Sequence, residues 1–206
     1  MEIEREFQSV INSLKSKFLF IACSGGVDSM VLLHVASKFN IPIHVLHVNY
    51  NLRGQESIDD ANFLKDYCHK NNIPISIHEV HLKEQLNEFG GNLQNEARKI
   101  RYDFFNSNLK SVKNSKLLIA HHFDDQIETF WLQLYRGSGL KGMAGMEKIK
   151  EDYVRPFLEI PKSHLLKYAI SNNIAWREDK SNSSTDYQRN AWRNDYIPFL
   201  HQEIPT

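Results

Sequence analysis

Cysteine is nearly absent: Cys23 and Cys68 are the only two in 206 residues, with no CxxC pair and no Cys/His cluster. That excludes a disulfide framework and a structural zinc site, and it fits a reducing, cytoplasmic setting. Net charge is absent as well, 25 basic residues standing against 25 acidic ones, so no overall positive field advertises a polyanionic partner. No apolar run approaches the ~20 residues that a membrane-spanning helix needs. The acidic opening Met1-Glu2-Ile3-Glu4-Arg5 lacks the basic-then-apolar order of an export signal. The chain is therefore expected to stay inside the cell and off the membrane. Repeats and low-complexity tracts are missing too. What remains, 41% hydrophobic, 11% aromatic and 24% charged residues, suits one globular domain with room for a core.

Charge is unevenly spread. Residues 1–135 hold 14 basic and 16 acidic residues and 168–206 hold 4 and 5, whereas 136–167 hold 7 and 4 and alone are positive.

Apolar periodicity sets a strand-then-helix rhythm. An amphipathic helix near residues 3–15 leads to a buried strand at 18–23, a glycine turn, and a helix to about Phe39. Pro42 punctuates before a strand at 43–48. Ser57 is the expected N-cap of a helix to about Asn71, followed by a strand at 75–80. Gly90-Gly91 precede a helix near 93–107; residues 116–120 make a fourth strand and 124–135 its helix. From Arg136 to Gly145 the pattern breaks, and these ten residues hold four of the nine glycines, as a ligand-shaped loop would. A short strand around 153–155, a helix from Lys162 to about Asn172 and a polar stretch at 179–186 follow. Such alternation predicts an α/β fold, an open and mostly parallel sheet with helices on both faces and ligands at the carboxyl ends of its strands.

Ser24-Gly25-Gly26-Val27-Asp28-Ser29 falls at such a strand end. Glycines admit positive φ and remove side chains, so backbone N–H groups can close on an oxyanion at a helix N-terminus. Ser24 and Ser29 add hydroxyl donors, and Asp28 can hold a divalent cation or an ammonium. A bare glycine pair is only a turn; the whole string predicts phosphate binding. It is neither the Walker pattern nor the dinucleotide GxGxxG. A second cluster, His121-His122-Phe123-Asp124-Asp125-Gln126-Ile127-Glu128-Thr129, also follows a strand and enters a helix. Helical spacing puts His121 with Asp125, and Asp125 with Glu128, on one face. Together with Asp28, these acids form a candidate cage for Mg²⁺ or an amine.

The SGGVDS string resembles the PP-loop of N-type ATP pyrophosphatases, which cut ATP between the α and β phosphates. With HVNYNLRGQES at 47–57, NEARKIRYDFF at 95–105, HHFDDQIETFWLQLYRGSGLKGM at 121–143, RPFLEIPK at 155–162, WREDKSN at 176–182 and YQRNAWRNDYIPFL ending at 200, the resemblance narrows to the bacterial tRNA(Ile)-lysidine synthetases. Tyr50 stands where that family often has His, and Phe130-Trp131 replace smaller aliphatics.

The resemblance implies a Rossmann-like catalytic domain over 1–206 with a small helical and loop extension from about 145, and without the further C-terminal tRNA-binding domains of relatives. It implies ATP and Mg²⁺ as cofactors, and as partners an isoleucine tRNA with a CAU anticodon and free L-lysine; a homodimer is left open. ATP adenylates the C2 oxygen of the wobble cytidine, and the lysine ε-amine then displaces AMP. Ser24, Gly25, Gly26, Val27 and Ser29 would hold the pyrophosphate. Asp28 and Asp125 are the candidate metal ligands, Asp125 and Glu128 recognise lysine, and His121 and Arg155 meet the α-phosphate. Arg98, Arg101, Arg136, Lys141, Arg189 and Arg193 are candidates for the tRNA backbone, and Trp176 and Trp192 for stacking on a base. Thiolating relatives generally need paired cysteines, which this chain lacks, and amidotransferase relatives need a glutaminase domain. A nucleotide-binding module without catalysis is the reading from a different class.

Overall fold

The protein is described by a computed structural model that covers residues 2–139 and 144–178. Lys141, Arg189, Arg193, Trp192 and the polar stretch at 179–186 lie outside these residues. In chain order the elements are α1 (Glu2–Ser13), β1 (Phe18–Ala22), α2 (Val27–Ser37), β2 (Ile43–Asn49), α3 (Gln55–Lys70), β3 (Ile75–Glu79), α4 (Leu82–Phe89), α5 (Leu93–Ser111), β4 (Ser115–Ile119), α6 (Phe123–Tyr135), β5 (Ile149–Lys150), β6 (Tyr153–Val154) and α7 (Lys162–Ser171). The six strands form one sheet in the order β3-β2-β1-β4-β6-β5. All neighbours are parallel except the β5/β6 hairpin.

The alternation of strand side chains divides the core in two. On one face Leu19, Ile21, Val45, Leu118 and Val154 pack under α1, α2, α3 and α7. On the other, Phe20, Leu46 and Leu117 pack under Phe104, Phe105 and Leu109 of α5. The registers Phe20↔Leu117 and Ile21↔Leu118 keep these sets apart along β1 and β4. Helices thus cover both faces, as expected of an α/β chain. After its first turn helix α2 is apolar except for His34 and Ser37, with Met30 to Leu33, Val35 and Ala36 buried, because it packs between the sheet and α7. Residues 154–174 join this same core through Val154, Phe157, Ile160, Leu165, Tyr168, Ala169 and Ile174.

One local expectation is corrected. Ser57 is not an N-cap: Gly54, at φ 55°, starts α3, and Ser57 in the first turn accepts the Arg53 N–H on its Oγ at 3.1 Å. The segment between β3 and the glycine pair, to which the sequence pattern assigns no element, contains the two-turn helix α4, anchored by buried Leu82.

Candidate functional site

The carboxyl ends of β1 and β4 are adjacent because the two strands pair, and each feeds a helix whose first turn carries candidate site residues. At the end of β1, Gly25 adopts φ +91°, a region open to glycine, and turns the chain into α2. The serines organise this loop. Ser29 Oγ donates to the Gly26 carbonyl at 2.9 Å and receives the Ser24 N–H at 3.2 Å; the Ser24 and Ser29 hydroxyls lie 3.3 Å apart. Gly26 stands at the N-cap of α2 and, being glycine, brings no side-chain cap, so the first amides of the helix face outward as donors for an oxyanion. Beneath the loop, buried His47 of β2 holds the Cys23 carbonyl through Nδ1 at 2.9 Å. Burial pushes the His47 pKa down, which keeps the ring neutral.

At the end of β4 the helix α6 begins with Phe123, and its buried residues are two acids, Asp125 and Glu128. The side chain of Asp125 receives the His122 N–H at 3.0 Å, which caps the helix. Asp124 receives the N–H of Lys162 at 2.9 Å and so ties the start of α6 to the start of α7.

His122 joins the two halves. Its ring is 2% exposed, and Nε2 lies 3.6 Å from Asp28 Oδ2 and 3.5 Å from Asp125 Oδ2, while Nδ1 lies 3.7 Å from Asp124 Oδ2. Burial works against a charge on this ring, yet the three surrounding carboxylates outweigh it and raise the pKa. These contacts exceed hydrogen-bond length, and both His122 Nδ1 and Asp28 Oδ1 are buried without a hydrogen-bond partner. Buried polar atoms left in this way mark a site built for something else to bind.

A third group sits alongside. Arg155, 9% exposed, donates from Nε to His121 Nδ1 at 3.1 Å and from Nη1 to the Glu147 carbonyl at 2.9 Å. Burial, assisted by the positive charge of Arg98, lowers its pKa. On α5 the exposed Arg98 and Arg101 lie 4.6 and 5.8 Å from the centre of the Tyr102 ring.

Asp28 and Asp125 are therefore brought to one imidazole, Glu128 is buried one turn further along α6, and His121 is paired with Arg155. Arg136 is exposed at the C-cap of α6, roughly 16 Å along the helix from Asp125. Sequence reasoning chose His121 and passed over His122. In a His-His pair leaving a strand one ring faces inward, and which one depends on register that the sequence does not display. Among the described residues no three potential ligands converge on a metal position. Two carboxylates, Asp28 and Asp125, with one buried and unpartnered oxygen, nevertheless fit Mg²⁺, which takes few protein ligands and completes its shell with phosphate oxygens and water.

A PP-loop domain family match runs over residues 1–200. The chain belongs to that family. The chain is 38% identical over 196 residues to the bifunctional protein TilS/HprT of Listeria monocytogenes serotype 4b, covering 91% of this chain and 30% of that protein. It is 35% identical to the tRNA(Ile)-lysidine synthases of Bacillus subtilis, covering 94% of this chain and 42% of that protein, and of Thermotoga maritima, covering 93% and 47%. The chain thus spans between 30% and 47% of the length of these relatives. Among solved structures it resembles the U34-tRNA thiolase NcsA from Methanococcus maripaludis with its 4Fe–4S cluster, at a TM-score of 0.79 and 20% identity over 99% of this chain and 74% of that one. The NMN synthetase from Francisella tularensis follows at 0.60 and 13%, over 98% and 94%. At these identities the structural likenesses speak for the fold alone. That fold is the mostly parallel sheet expected of the sequence.

Among the described residues no helix is long and apolar enough to cross a membrane.

Proposed function

We propose that this chain carries the catalytic site of a tRNA(Ile)-lysidine synthase, using ATP to activate the wobble cytidine of an isoleucine tRNA with a CAU anticodon and free lysine to replace the activated oxygen. The observation that carries the reading is His122, which brings an aspartate of the phosphate loop and an aspartate of α6 to the same imidazole. Relatives named for this activity match more than nine-tenths of the chain.

In the first step the C2 oxygen attacks the α-phosphorus, the bond from that phosphorus to the β-phosphate bridge breaks, and pyrophosphate leaves. The amides opening α2 and the Ser24 hydroxyl neutralise the leaving charge, Ser29 orders the loop through the Gly26 carbonyl, and Arg155, held by His121, is assigned to the α-phosphate. Mg²⁺, held by Asp28 and Asp125, would supply further charge neutralisation at the phosphates. In the second step the lysine nitrogen attacks C2, the C2–O bond breaks, and AMP departs. An ε-ammonium has a pKa near 10.4, so the attacking amine must shed a proton. Asp125 and Glu128 hold the ammonium and take up that proton first, which frees the lone pair that attacks C2. We assign the exposed Arg98, Arg101 and Arg136 to tRNA phosphates, with Lys141, Arg189 and Arg193 as further contacts.

A thiolase reading is disfavoured by the cysteines. Both are buried, and burial pushes the Cys23 thiol up and that of Cys68 up to about 12, the opposite of a sulfur carrier.

The test is incubation with ATP, Mg²⁺, radiolabelled lysine and CAU-anticodon isoleucine tRNA, with methionine tRNA as control. Label in the isoleucine tRNA alone is the expected result. ATP binding without label in either tRNA would move the chain to the non-catalytic module.

A further inference from the structure

We infer that Asp60 and Arg177 form a latch that positions the phosphate loop. This rests on the reading of residues 24–29 as the ATP-phosphate cradle and adds two positioning residues, Asp60 on α3 and Arg177 within the WREDKSN string. The Arg177 N–H donates to the Gly25 carbonyl at 2.9 Å, a contact between residues about 150 positions apart. The Arg177 side chain is anchored in turn: its Nε donates to Asp60 Oδ1 on α3 at 2.9 Å, and Asp60 Oδ2 receives Arg53 Nη2 at 2.7 Å. Asp60 is largely shielded, its side chain 15% exposed, and the preceding Trp176 packs against the core. The loop carbonyl is thereby tied through residues 176–177 to the body of α3.

The chemistry of the peptide unit explains why this matters. Gly25 sits at φ +91° and has no side chain to resist rotation. Its carbonyl and the Gly26 N–H share one planar trans peptide and point in opposite directions. Fixing the carbonyl on Arg177 therefore fixes the Gly26 N–H on the other side, toward Ser24 Oγ at 3.4 Å, where the loop's donors gather. Direct phosphate binding by the two arginines is a poorer account. They border a cleft of about 320 Å³ that Glu56, Asp60 and Glu178 also line, and Asp60 already engages both guanidinium groups. Three carboxylates against two engaged cations would repel a phosphate.

The experiment titrates the full chain with α,β-methylene ATP and measures KM for lysine in the incorporation assay. Asp60→Asn is expected to weaken analogue binding about tenfold while leaving KM for lysine unchanged. Arg177→Gln weakens it in the same direction, and the double variant is no worse than Asp60→Asn alone, because both act through one contact. Lys65→Gln, which removes an exposed 3.9 Å pair with Glu79 from the same helix, is the control and leaves binding unchanged. Should Asp60→Asn fail to fold, Arg177→Gln keeps the Asp60–Arg53 pair and carries the test. Wild-type analogue affinity in a folded Asp60→Asn or Arg177→Gln protein overturns the latch alone, as does an equal loss for ATP analogue and lysine. Failure of the wild-type chain to bind the analogue overturns the cradle reading and the latch with it.

Discussion

His122 is the residue on which the site turns, since it is buried against three carboxylates that would otherwise repel one another across the crevice. His122→Asn should cost about 2 kcal/mol of stability, read as a fall in the urea midpoint at unchanged slope, because it leaves those acids without their shared partner. Glu128 plays a different part. It is 1% exposed on the helix face that also buries Asp125. Glu128→Gln keeps the shape and removes the charge, so KM for lysine should rise at least tenfold while ATP-analogue affinity stays within about twofold. An equal loss of both would assign Glu128 to the nucleotide.

The elements explain why such side chains meet. Pairing of β1 with β4 sets the phosphate loop beside the first turn of α6, and each loop is short enough to hold its geometry. Gly25→Ala tests the turn itself. An added Cβ would meet Phe63 Cδ1 at 3.8 Å, an ordinary contact, so the cost lies in the positive φ and should be about 1–2 kcal/mol, accompanied by weaker ATP-analogue binding. Most of these elements were legible in the sequence. Apolar runs marked β1 and β4, Ile43, Val45, Leu46 and Val48 marked β2, and the two motifs marked the strand ends of the candidate site. Other parts were not. Helix α4 has eight residues and one strong anchor, Leu82, too little for periodicity to show. Strand β5 is a two-residue hairpin partner with both side chains exposed, so nothing local distinguishes it from loop. Ser57 misled because its hydroxyl does accept a backbone N–H, but that of Arg53, upstream, with Gly54 supplying the cap position. The Asp60–Arg177 contact joins residues far apart in the chain and left no local signal at all.

At the scale of the whole molecule, the positive stretch at 136–167 is less available than its count suggests. Lys148 is held between Glu6 and Glu159, at 2.7 and 2.8 Å, and Arg155 is buried against His121. Arg136 of this stretch is exposed, as are Arg98 and Arg101 of α5. Similar internal pairing joins α1 to the core: Glu4 receives Lys38 Nζ at 2.7 Å and the Tyr168 hydroxyl at 2.9 Å, bridging α1, α2 and α7. The hydrogen bond from Lys38, then that from Tyr168, pulls the Glu4 pKa from its ordinary 4.5 down to about 2. A carboxyl depressed on folding stabilises the protein above its unfolded pKa and loses that contribution as pH falls through the folded one. Thermal stability should therefore drop between pH 4.5 and 2, and Glu4→Gln should lose less over that window in a melting series. The proposed reaction requires nucleotide and amine to share one crevice. A crystal structure of the chain with α,β-methylene ATP and lysine measures this directly. The phosphates should lie on residues 24–29 with the lysine ammonium against Asp125 and Glu128 across His122. Lysine bound away from α6, or phosphates away from the loop, would contradict it.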